Sequence, residues 1–264
     1  MRKEDNFRKS DDSGSKGRVY AIGIGPGGID HITQRALDAI ASSSTIAGYT
    51  RYMGLIEPLL KGKKTISTGM TEEAKRCSMA IELASNGEIV SVISSGDAGI
   101  YGMAGLLFEM AARGRFIGQS FDIEVIPGVP ALSAAAAVLG APLMHDFASI
   151  SLSDLLTPWD KIEKRIKSAS ESDFVIVLYN PKSSKRKEGL KRAMDIIRGF
   201  RGGLTPVGIV RNATRDGESR VITSIKDFDG HIEGIDMLTI VIVGNSETFE
   251  DSGYMITPRG YRVL

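Results

Sequence analysis

The sequence predicts an α/β fold, and three observations support that prediction. Short apolar, β-branched segments alternate with segments of helical periodicity along the chain, which is typical of α/β proteins. Residues 174–179 form an unbroken apolar run, as expected of a central parallel strand. The apolar run at residues 89–93 leads into the glycine-rich turn GDAGIYG at residues 96–102 and then into a helix-like segment. Such strand–turn–helix units place ligand-binding loops at the carboxyl edge of a parallel sheet.

Strands are predicted where β-branched and apolar residues cluster between turn signals. In chain order they cover residues 18–24, 45–48, 64–67, 89–93, 121–126, 148–152, 174–179, 205–210, 220–223 and 238–243. Helices are predicted where apolar residues recur every three or four positions. They cover residues 33–41, a segment beginning at 71, and residues 103–113, 131–139, 159–169 and 185–200.

Local signals support several of these helices. Thr33 can act as an N-cap, with Ile32, Ala36 and Ile40 on one apolar face of the helix that follows. Acidic residues at positions 72 and 73 stand where the helix dipole favours negative charge. The helix at residues 131–139 contains five alanines, which suit close packing on a sheet or against a bound ligand.

Length and composition limit the domain organisation. The 264 residues are enough for one large domain or two of ordinary size, and the sequence Gly-Ala-Pro at 140–142 is typical of a boundary between two domains. We therefore predict a disordered, charged tail at residues 1–17, an N-terminal α/β domain at 18–140 and a C-terminal α/β domain at 141–264. The longest apolar run, residues 129–144, is broken by proline and glycine and is too short to span a bilayer. We expect a cytoplasmic protein without a signal peptide or a membrane partner.

Charge, cysteine and histidine content argue against several classes of site. The formal net charge of +1 provides no global field to recruit nucleic acid. Cys77, the one cysteine, lies mid-helix and is expected to be a buried thiol. The three histidines, His31, His145 and His231, are far apart, and no pair has the spacing of metal ligands. We predict that the protein has no metal site.

A dinucleotide-binding loop is the alternative interpretation of the first glycine-rich turn. Gly23, Gly25 and Gly28 match the pattern G-x-G-x-x-G and follow a predicted strand. However, further residues separate Gly28 from the Thr33 cap, and Pro26 lacks the N–H that a phosphate-binding loop would use. The second strand also ends without the acidic residue that would bind a ribose. These details disfavour a nicotinamide-dependent dehydrogenase.

Taken together, the loops resemble those of the tetrapyrrole (corrin/porphyrin) methylases, a family that uses S-adenosylmethionine. The similar segments are GIGPG at residues 23–27 with Ile32-Thr33, GDAGIYG at 96–102, PGVPA at 127–131 and RNAT at 211–214. One departure is Ala98, where many relatives carry proline. The resemblance implies two α/β domains with the cofactor in the cleft between them, and it suggests a homodimer.

The resemblance also implies which residues bind the ligands. Cofactor contacts, many through the main chain, are expected at Gly96, Asp97, Ile100, Pro130, Ala131, Tyr179, Asn180, Ala213, Thr239 and Ile240. Contacts to the tetrapyrrole are expected at Pro26, Gly27, Ser153, Lys182, Arg186 and Arg211. The cations fit the carboxylates of such a substrate. The cluster formed by Lys182 and residues 185–187 is equally consistent with a solvated basic face.

Three further stretches are similar to family members that methylate C17 of a precorrin-3-type macrocycle as its ring contracts, a step of cobalamin biosynthesis. They are ISLSDLLTPW at residues 150–159, LYNPKS at 178–183 and VRNATR at 210–215. Methyl transfer from a sulfonium is an in-line displacement, so the protein mainly aligns donor and acceptor. Ring contraction also moves protons, which calls for an acid–base group. The candidates are Asp30, His31, Asp97, His145 and Asp154, each of which is also consistent with an ordinary capping or surface role.

Other functions stay open at this point. Another methyltransferase of the same fold would act at a different corrin position, on diphthine or on RNA. An RNA substrate favours basic surfaces interleaved with stacking aromatics, and aromatic residues make up only 6% of this chain. A third alternative is a non-catalytic sensor of S-adenosylmethionine. Both the metal-free and the cobalt-containing macrocycle are compatible with the sequence.

Overall fold

A computed structural model of the protein describes residues 16–183 and 188–262. The chain divides into two compact units, which we call the first and second unit. The first unit holds the described residues up to Ile24 together with Ile32–Gly128. The second unit holds Gly25–His31 together with the described residues from Val129 onward. Within residues 16–183 and 188–262, no helix is long and apolar enough to cross a membrane.

The first unit is a parallel five-stranded sheet with helices on both faces. Its elements are β1 (Gly17–Gly23), α1 (Gln34–Ser42), β2 (Thr45–Tyr49), α2 (Thr50–Leu55), β3 (Lys64–Thr68), α3 (Glu73–Ser85), β4 (Ile89–Ser94), α4 (Ala104–Arg113) and β5 (Phe121–Ile126), with a 3-10 turn at Glu57–Leu60. The strand order is β3-β2-β4-β1-β5, and every pairing is parallel. All five carboxyl ends therefore lie at one edge of this sheet.

Alternation along β1 shows how the sheet is covered on both faces. Val19 and Ala21 belong to the apolar cluster formed with α3 and α4, whereas Tyr20 and Ile22 belong to the cluster formed with α1 and α2. Successive side chains of a strand point to opposite faces, so both must be apolar when both are covered. The predicted N-cap is present as well, because the hydroxyl of Thr33 accepts a hydrogen bond from the Ala36 amide at 3.2 Å.

The second unit is built on a mixed sheet. Its elements are α5 (Ala131–Leu139), β6 (Gly140–Ala141), β7 (Phe147–Ser151), α6 (Trp159–Glu171), β8 (Val175–Tyr179), α7 (Gly189–Arg198), β9 (Pro206–Arg211), β10 (Ser219–Ser224), β11 (Thr239–Val243), β12 (Phe249–Asp251) and β13 (Tyr254–Ile256), with 3-10 helices at Ile29–His31 and Phe228–Gly234. The large sheet has the order β10-β9-β11-β8-β7, and a small sheet has the order β12-β13-β6.

The direction of β8 corrects one sequence-based expectation. The apolar run at 174–179 was expected to be a central parallel strand. It is an interior strand, but it is parallel only to β7 and antiparallel to β11. Val175, Ile176, Val177 and Leu178 are all fully buried, which accounts for the apolar run. Burial on both faces selects apolar residues whatever the direction of the neighbouring strand, so the pattern does not encode that direction.

The boundary between the two units follows Gly128 and therefore precedes the domain boundary predicted at residues 140–142. Helix α5 shares an apolar cluster with strands of the second sheet, in which Leu139 packs with Val210 and Ile242. A Cβ on Gly208 would overlap the side chain of Leu139, so the alanine-rich helix approaches this sheet closely. The helix therefore belongs to the second unit. Of the predicted tail, residues 1–15 lie outside the described residues, and Gly17 already begins β1.

Candidate active site

Three glycines pack backbone against backbone at the carboxyl edge of the first sheet. A Cβ placed on Gly23, at the end of β1, would lie 2.6 Å from the Gly96 oxygen and 2.7 Å from the Gly128 nitrogen. A Cβ on Gly128 would overlap the same Gly96 oxygen. At Gly23 and Gly128 no other residue type fits without moving the main chain, so these two glycines set the closeness of the turns that follow β1, β4 and β5.

The carboxylate of Asp97 ties these turns together. Its Oδ1 accepts hydrogen bonds from the Gly99 amide at 2.7 Å and the Ile100 amide at 3.2 Å. Its Oδ2 accepts one from the Gly128 amide at 3.0 Å, which links the turn after β4 to the end of β5. Both oxygens are thus committed to backbone donors. This geometry supports a structural role for Asp97 and disfavours a role as an acid–base group.

Two further hydrogen bonds hold the turn after β4, and two of its side chains are exposed to solvent. The Ser94 hydroxyl accepts from the Met103 amide at 3.1 Å, and the Ala98 oxygen accepts from the Ala104 amide at 3.0 Å. Ile100 is 36% exposed and Tyr101 is 52% exposed. A fixed turn with accessible main chain and an apolar surface is suited to binding a small ligand.

The second unit brings four of the predicted cofactor residues together. Strands β8 and β9 are both antiparallel to β11, so their carboxyl ends lie at the same edge as the start of β11. One apolar cluster at this sheet includes Ala131, Tyr179, Ala213 and Ile240. Residues from four separate segments of the sequence therefore pack into one cluster.

Tyr179 and Asn180 organise this edge through hydrogen bonds. The Tyr179 hydroxyl accepts from the Leu132 amide at 2.9 Å, in the first turn of α5, where the N-cap Pro130 has no side-chain acceptor. Asn180 adopts a left-handed conformation with φ of 53°, and its side-chain amide donates to the Ser151 hydroxyl at 2.9 Å. These contacts fix the start of α5 and join the ends of β7 and β8.

Arg211 and Thr239 both contact Asp236. The Arg211 guanidinium donates through Nε to Asp236 Oδ2 at 3.0 Å, and the Thr239 hydroxyl donates to Oδ1 at 3.1 Å. The Leu238 amide adds a hydrogen bond to Oδ1 at 2.9 Å. Burial tends to raise the pKa of Asp236, but the hydrogen bonds from Leu238, Arg211 and Thr239 outweigh it and hold that pKa below its usual value. Asp236 was not singled out from the sequence.

The first glycine loop packs on the RNAT segment within the second unit. Arg215 donates through Nε to the Pro26 oxygen, although the two residues are 189 positions apart. A Cβ on Gly27 would overlap the oxygen and the hydroxyl of Thr214. Thr214 is held in turn, because its amide donates to Glu218 Oε2 at 2.7 Å. Two segments that carried the family resemblance are therefore neighbours in the structure.

The acid–base candidates occupy different environments. Asp30 and His31 are exposed in the 3-10 segment that packs with this loop. Asp154 is exposed and follows β7. His145 precedes β7 and so lies towards the opposite edge of the sheet, where its Nδ1 accepts from the Asp146 amide at 2.9 Å.

Of the basic residues predicted to bind the substrate, Lys182 and Arg211 contact other residues of the chain, and Arg186 lies outside the described residues. Lys182 donates to the Ile232 oxygen at 2.9 Å and lies 3.4 Å from Glu233 Oε2, with only 12% of its side chain exposed. Arg211 contacts Asp236, as described above. Arg186, with its neighbours Lys185 and Lys187, lies outside the described residues. Ser153 follows β7 at the same edge as Asn180.

Sequence reasoning missed a buried arginine near the carboxyl edge of the first sheet. Arg76, on α3, is 3% exposed and donates to the Thr68 hydroxyl at 3.0 Å and the Gly69 oxygen at 3.2 Å. It fixes the end of β3. The neighbouring Cys77 is fully buried, and burial raises the pKa of its thiol to about 12. The described parts of the chain contain no group of three or more His, Cys, Asp or Glu placed to hold a metal ion.

Comparison with known proteins identifies the family. The family model described as Tetrapyrrole (Corrin/Porphyrin) Methylases matches residues 18–229. The chain is 51% identical to a protein of Priestia megaterium named cobalt-factor III methyltransferase, over 94% of this chain and 46% of that protein. It is 50% identical to a probable cobalt-factor III C(17)-methyltransferase of Salmonella typhimurium, over 92% of this chain and 99% of that protein.

A solved structure agrees with both the fold and the family. The crystal structure of the methyltransferase CobJ superposes with a TM-score of 0.85 at 36% identity and covers 92% of this chain and all of its own. The predicted α/β fold is confirmed by this likeness. The family predicted from the loop segments is confirmed as well. The chain belongs to the tetrapyrrole (corrin/porphyrin) methylases.

Proposed function

We propose that this protein transfers a methyl group from S-adenosylmethionine to C17 of a cobalt-factor III-type tetrapyrrole as the ring contracts, in cobalamin biosynthesis. The observation that carries the proposal is the edge of the second sheet, where Ala131, Tyr179, Ala213 and Ile240 share one cluster. The names of the two relatives at about half identity support the same reaction and favour a macrocycle that already contains cobalt.

The residues at this edge fit S-adenosylmethionine. The faces of its adenine ring are flat and apolar, and the cluster includes two alanines, one isoleucine and Tyr179. Small side chains leave room for a ligand to approach the main chain. When bound, the cofactor would supply a methyl group already activated on a sulfonium. The family resemblance also assigns Thr239, Asn180 and Pro130 to the cofactor, and in the first unit Gly96, Asp97 and Ile100.

The protein's own contribution would be alignment of the two reactants. Hydrogen bonds from Asn180 and to Tyr179 hold the ends of β7 and β8 and the start of α5 in place before any ligand arrives. Preorganised loops convert an unfavourable bimolecular encounter into a reaction within one complex. No side chain has to act as a nucleophile, because the tetrapyrrole carbon itself attacks the methyl group.

Proton transfer during ring contraction is proposed for Asp30, His31 or Asp154. All three are exposed, and the loop that carries Asp30 and His31 is fixed by the contacts of Pro26 and Gly27. Pro26, Gly27, Ser153, Lys182, Arg186 and Arg211 form the proposed binding residues for the tetrapyrrole. Removing a true general acid or base lowers the turnover number by about 100-fold or more.

The direct test is methyl transfer by the purified full chain. The protein is incubated anaerobically with S-adenosylmethionine and cobalt-factor III, and the product is analysed by mass spectrometry and NMR. The expected product has gained one methyl group, located at C17 of a contracted ring. Metal-free precorrin-3B is tested in parallel, and faster turnover of this macrocycle would contradict the proposed cobalt form.

The same assay separates the alternatives. A methyl group at another corrin position, or transfer only to diphthine or RNA, would replace the proposed reaction by another of the same fold. Binding of S-adenosylmethionine in calorimetry without any transfer would favour a sensor. A homodimer and a cytoplasmic location are part of the proposal, and sedimentation equilibrium tests the first of these.

A further inference from the structure

Two adjacent leucines project into solvent from the loop between β7 and α6. Leu155 is 65% exposed and Leu156 is 97% exposed. They belong to the stretch ISLSDLLTPW, which supported the sequence-based assignment, but neither leucine received a role in the site described above. Two adjacent exposed leucines leave apolar surface in water, and burial of that surface under a ligand would be favourable.

The loop that carries the two leucines is anchored at both ends. On one side Leu152 is 3% exposed, and its amide donates to the Tyr179 oxygen at 2.9 Å. On the other side the Trp159 indole donates to Glu163 Oε1 at 2.7 Å, and the Arg192 guanidinium stacks on its ring at 4.7 Å. These contacts fix the two ends of the loop, and Leu155 and Leu156 lie between them.

The loop lies at the proposed ligand-binding edge of the second sheet. It follows the carboxyl end of β7, which Ser151 joins to Asn180 through a 2.9 Å hydrogen bond. The leucines therefore emerge at the edge that carries Tyr179 and Asn180. A tetrapyrrole has broad apolar faces and a rim of carboxylates, so leucine side chains are suited to its face and not to its rim.

We propose that Leu155 and Leu156 pack on the apolar face of the tetrapyrrole and determine its affinity, an inference that rests on the proposed function. A second copy of the chain is a weaker candidate for this surface. Stable protein interfaces bury about 800 Å² per partner, which is far more than two leucine side chains provide.

The test compares the double variant Leu155→Ser/Leu156→Ser with a matched control. Leu204→Ser is the control, because Leu204 is 75% exposed but lies before β9, at the amino end of that strand. Each protein is loaded with S-adenosylhomocysteine and titrated with cobalt-factor III, and binding is followed by visible absorbance. We expect the double variant to bind at least about tenfold more weakly, as loss of the apolar contacts of two leucines requires.

Further measurements separate a binding role from a structural one. Affinity for S-adenosylhomocysteine should change by less than about twofold in the double variant, and Leu155→Met/Leu156→Met should restore tetrapyrrole binding. Unchanged tetrapyrrole affinity overturns the inference, as does equal loss of both ligands. If the double variant changes its oligomeric state in sedimentation but keeps its tetrapyrrole affinity, the inference is overturned, and the leucines instead contact a second copy of the chain. Failure of the unaltered protein to transfer methyl groups contradicts the proposed function itself, which is a different result.

Discussion

The carboxyl edge of the first sheet and the edge of the second sheet at which β7, β8 and β9 end are built by different means. In the first unit, Gly23 and Gly128 bring three turns together by having no side chains, so that both approach the Gly96 oxygen. In the second unit, side chains hold the edge, since Tyr179 caps α5 and Asn180 joins β8 to β7. Asp97 is the exception in the first unit, because its carboxylate collects three backbone amides.

This difference implies different sensitivities to substitution. An edge that depends on close backbone approach has no room to relax, so even one methyl group should be costly there. An edge that depends on hydrogen bonds should lose about the free energy of each bond that is removed.

Substitution Gly128→Ala should destabilise the first unit most. The added Cβ would overlap the Gly96 oxygen and lie 2.6 Å from the Gly23 oxygen, and both are backbone atoms. We expect the free energy of unfolding in urea to fall by about 3 kcal/mol or more. The control is Gly105→Ala on α4, where the Cβ meets nothing within 4 Å. It should be neutral or stabilising by up to about 1 kcal/mol. Equal effects at both glycines would contradict the close-packing argument.

Substitution Asp97→Ala should have the next largest effect. It removes the acceptor of three backbone amides, of which Gly128 is half-buried. We expect a loss of about 2 kcal/mol in urea unfolding. Asp122→Ala is a suitable control, because Asp122 forms an exposed ion pair with Lys16 that should contribute less than about 1 kcal/mol. A loss no larger than that of the control would show that the three hydrogen bonds accepted by Asp97 contribute little to stability.

Substitution Tyr179→Phe should cost less than either change in the first unit. The ring and its packing stay, and only the hydroxyl that accepts from the Leu132 amide is lost. We expect about 1 kcal/mol in the same unfolding assay. Tyr254→Phe is the control, since Tyr254 is 50% exposed and stacks under Arg220 through its ring. If Tyr179→Phe exceeded Gly128→Ala in cost, the contrast between the two edges would be reversed.

The smallest expected effect concerns pH and Asp236. Its pKa is lower in the folded protein than in the unfolded chain, so its contribution to stability is present above the unfolded value of about 4. That contribution is lost as the pH falls through the folded pKa. Asp236→Asn should therefore be less stable than the unaltered protein at pH 7, by less than about 1 kcal/mol, because the group is partly exposed. The difference in free energy of unfolding between the variant and the unaltered protein should shrink in urea unfolding at pH 3. A difference that grows in acid would contradict a lowered pKa of Asp236.

Much of the secondary structure was predictable because its signals are local. The predicted bounds of the strand at 121–126 and the helix at 131–139 agree with β5 and α5. The helix α2 was missed, because Thr50–Leu55 contains glycine and lacks a side-chain cap. Strand β6 consists only of Gly140–Ala141 and exists through its pairing with Met255 and Ile256. Nothing within two residues could have indicated that partner.

The candidate site also combines residues that the sequence indicated with residues that only the structure revealed. Resemblance pointed to Ala131, Tyr179, Ala213 and Ile240, and the structure places them in one cluster. Asp236 was missed because its importance comes from Arg211 and Thr239, which only the turn before β11 brings to it. The inward orientation of Lys182 towards the 3-10 helix at Phe228–Gly234 could not be read from a run of basic residues either.

The amino-acid order alone determined the alternation of strands and helices, the loops that carry the family resemblance and the burial of Cys77. These depend on local preference and on apolar periodicity, which neighbouring residues encode directly. Only the tertiary structure decided the direction of β11, the placement of α5 on the second sheet and the contact between Pro26 and Arg215. Each of these depends on contacts between segments that are distant along the chain, and no local pattern specifies which distant segment will be the partner.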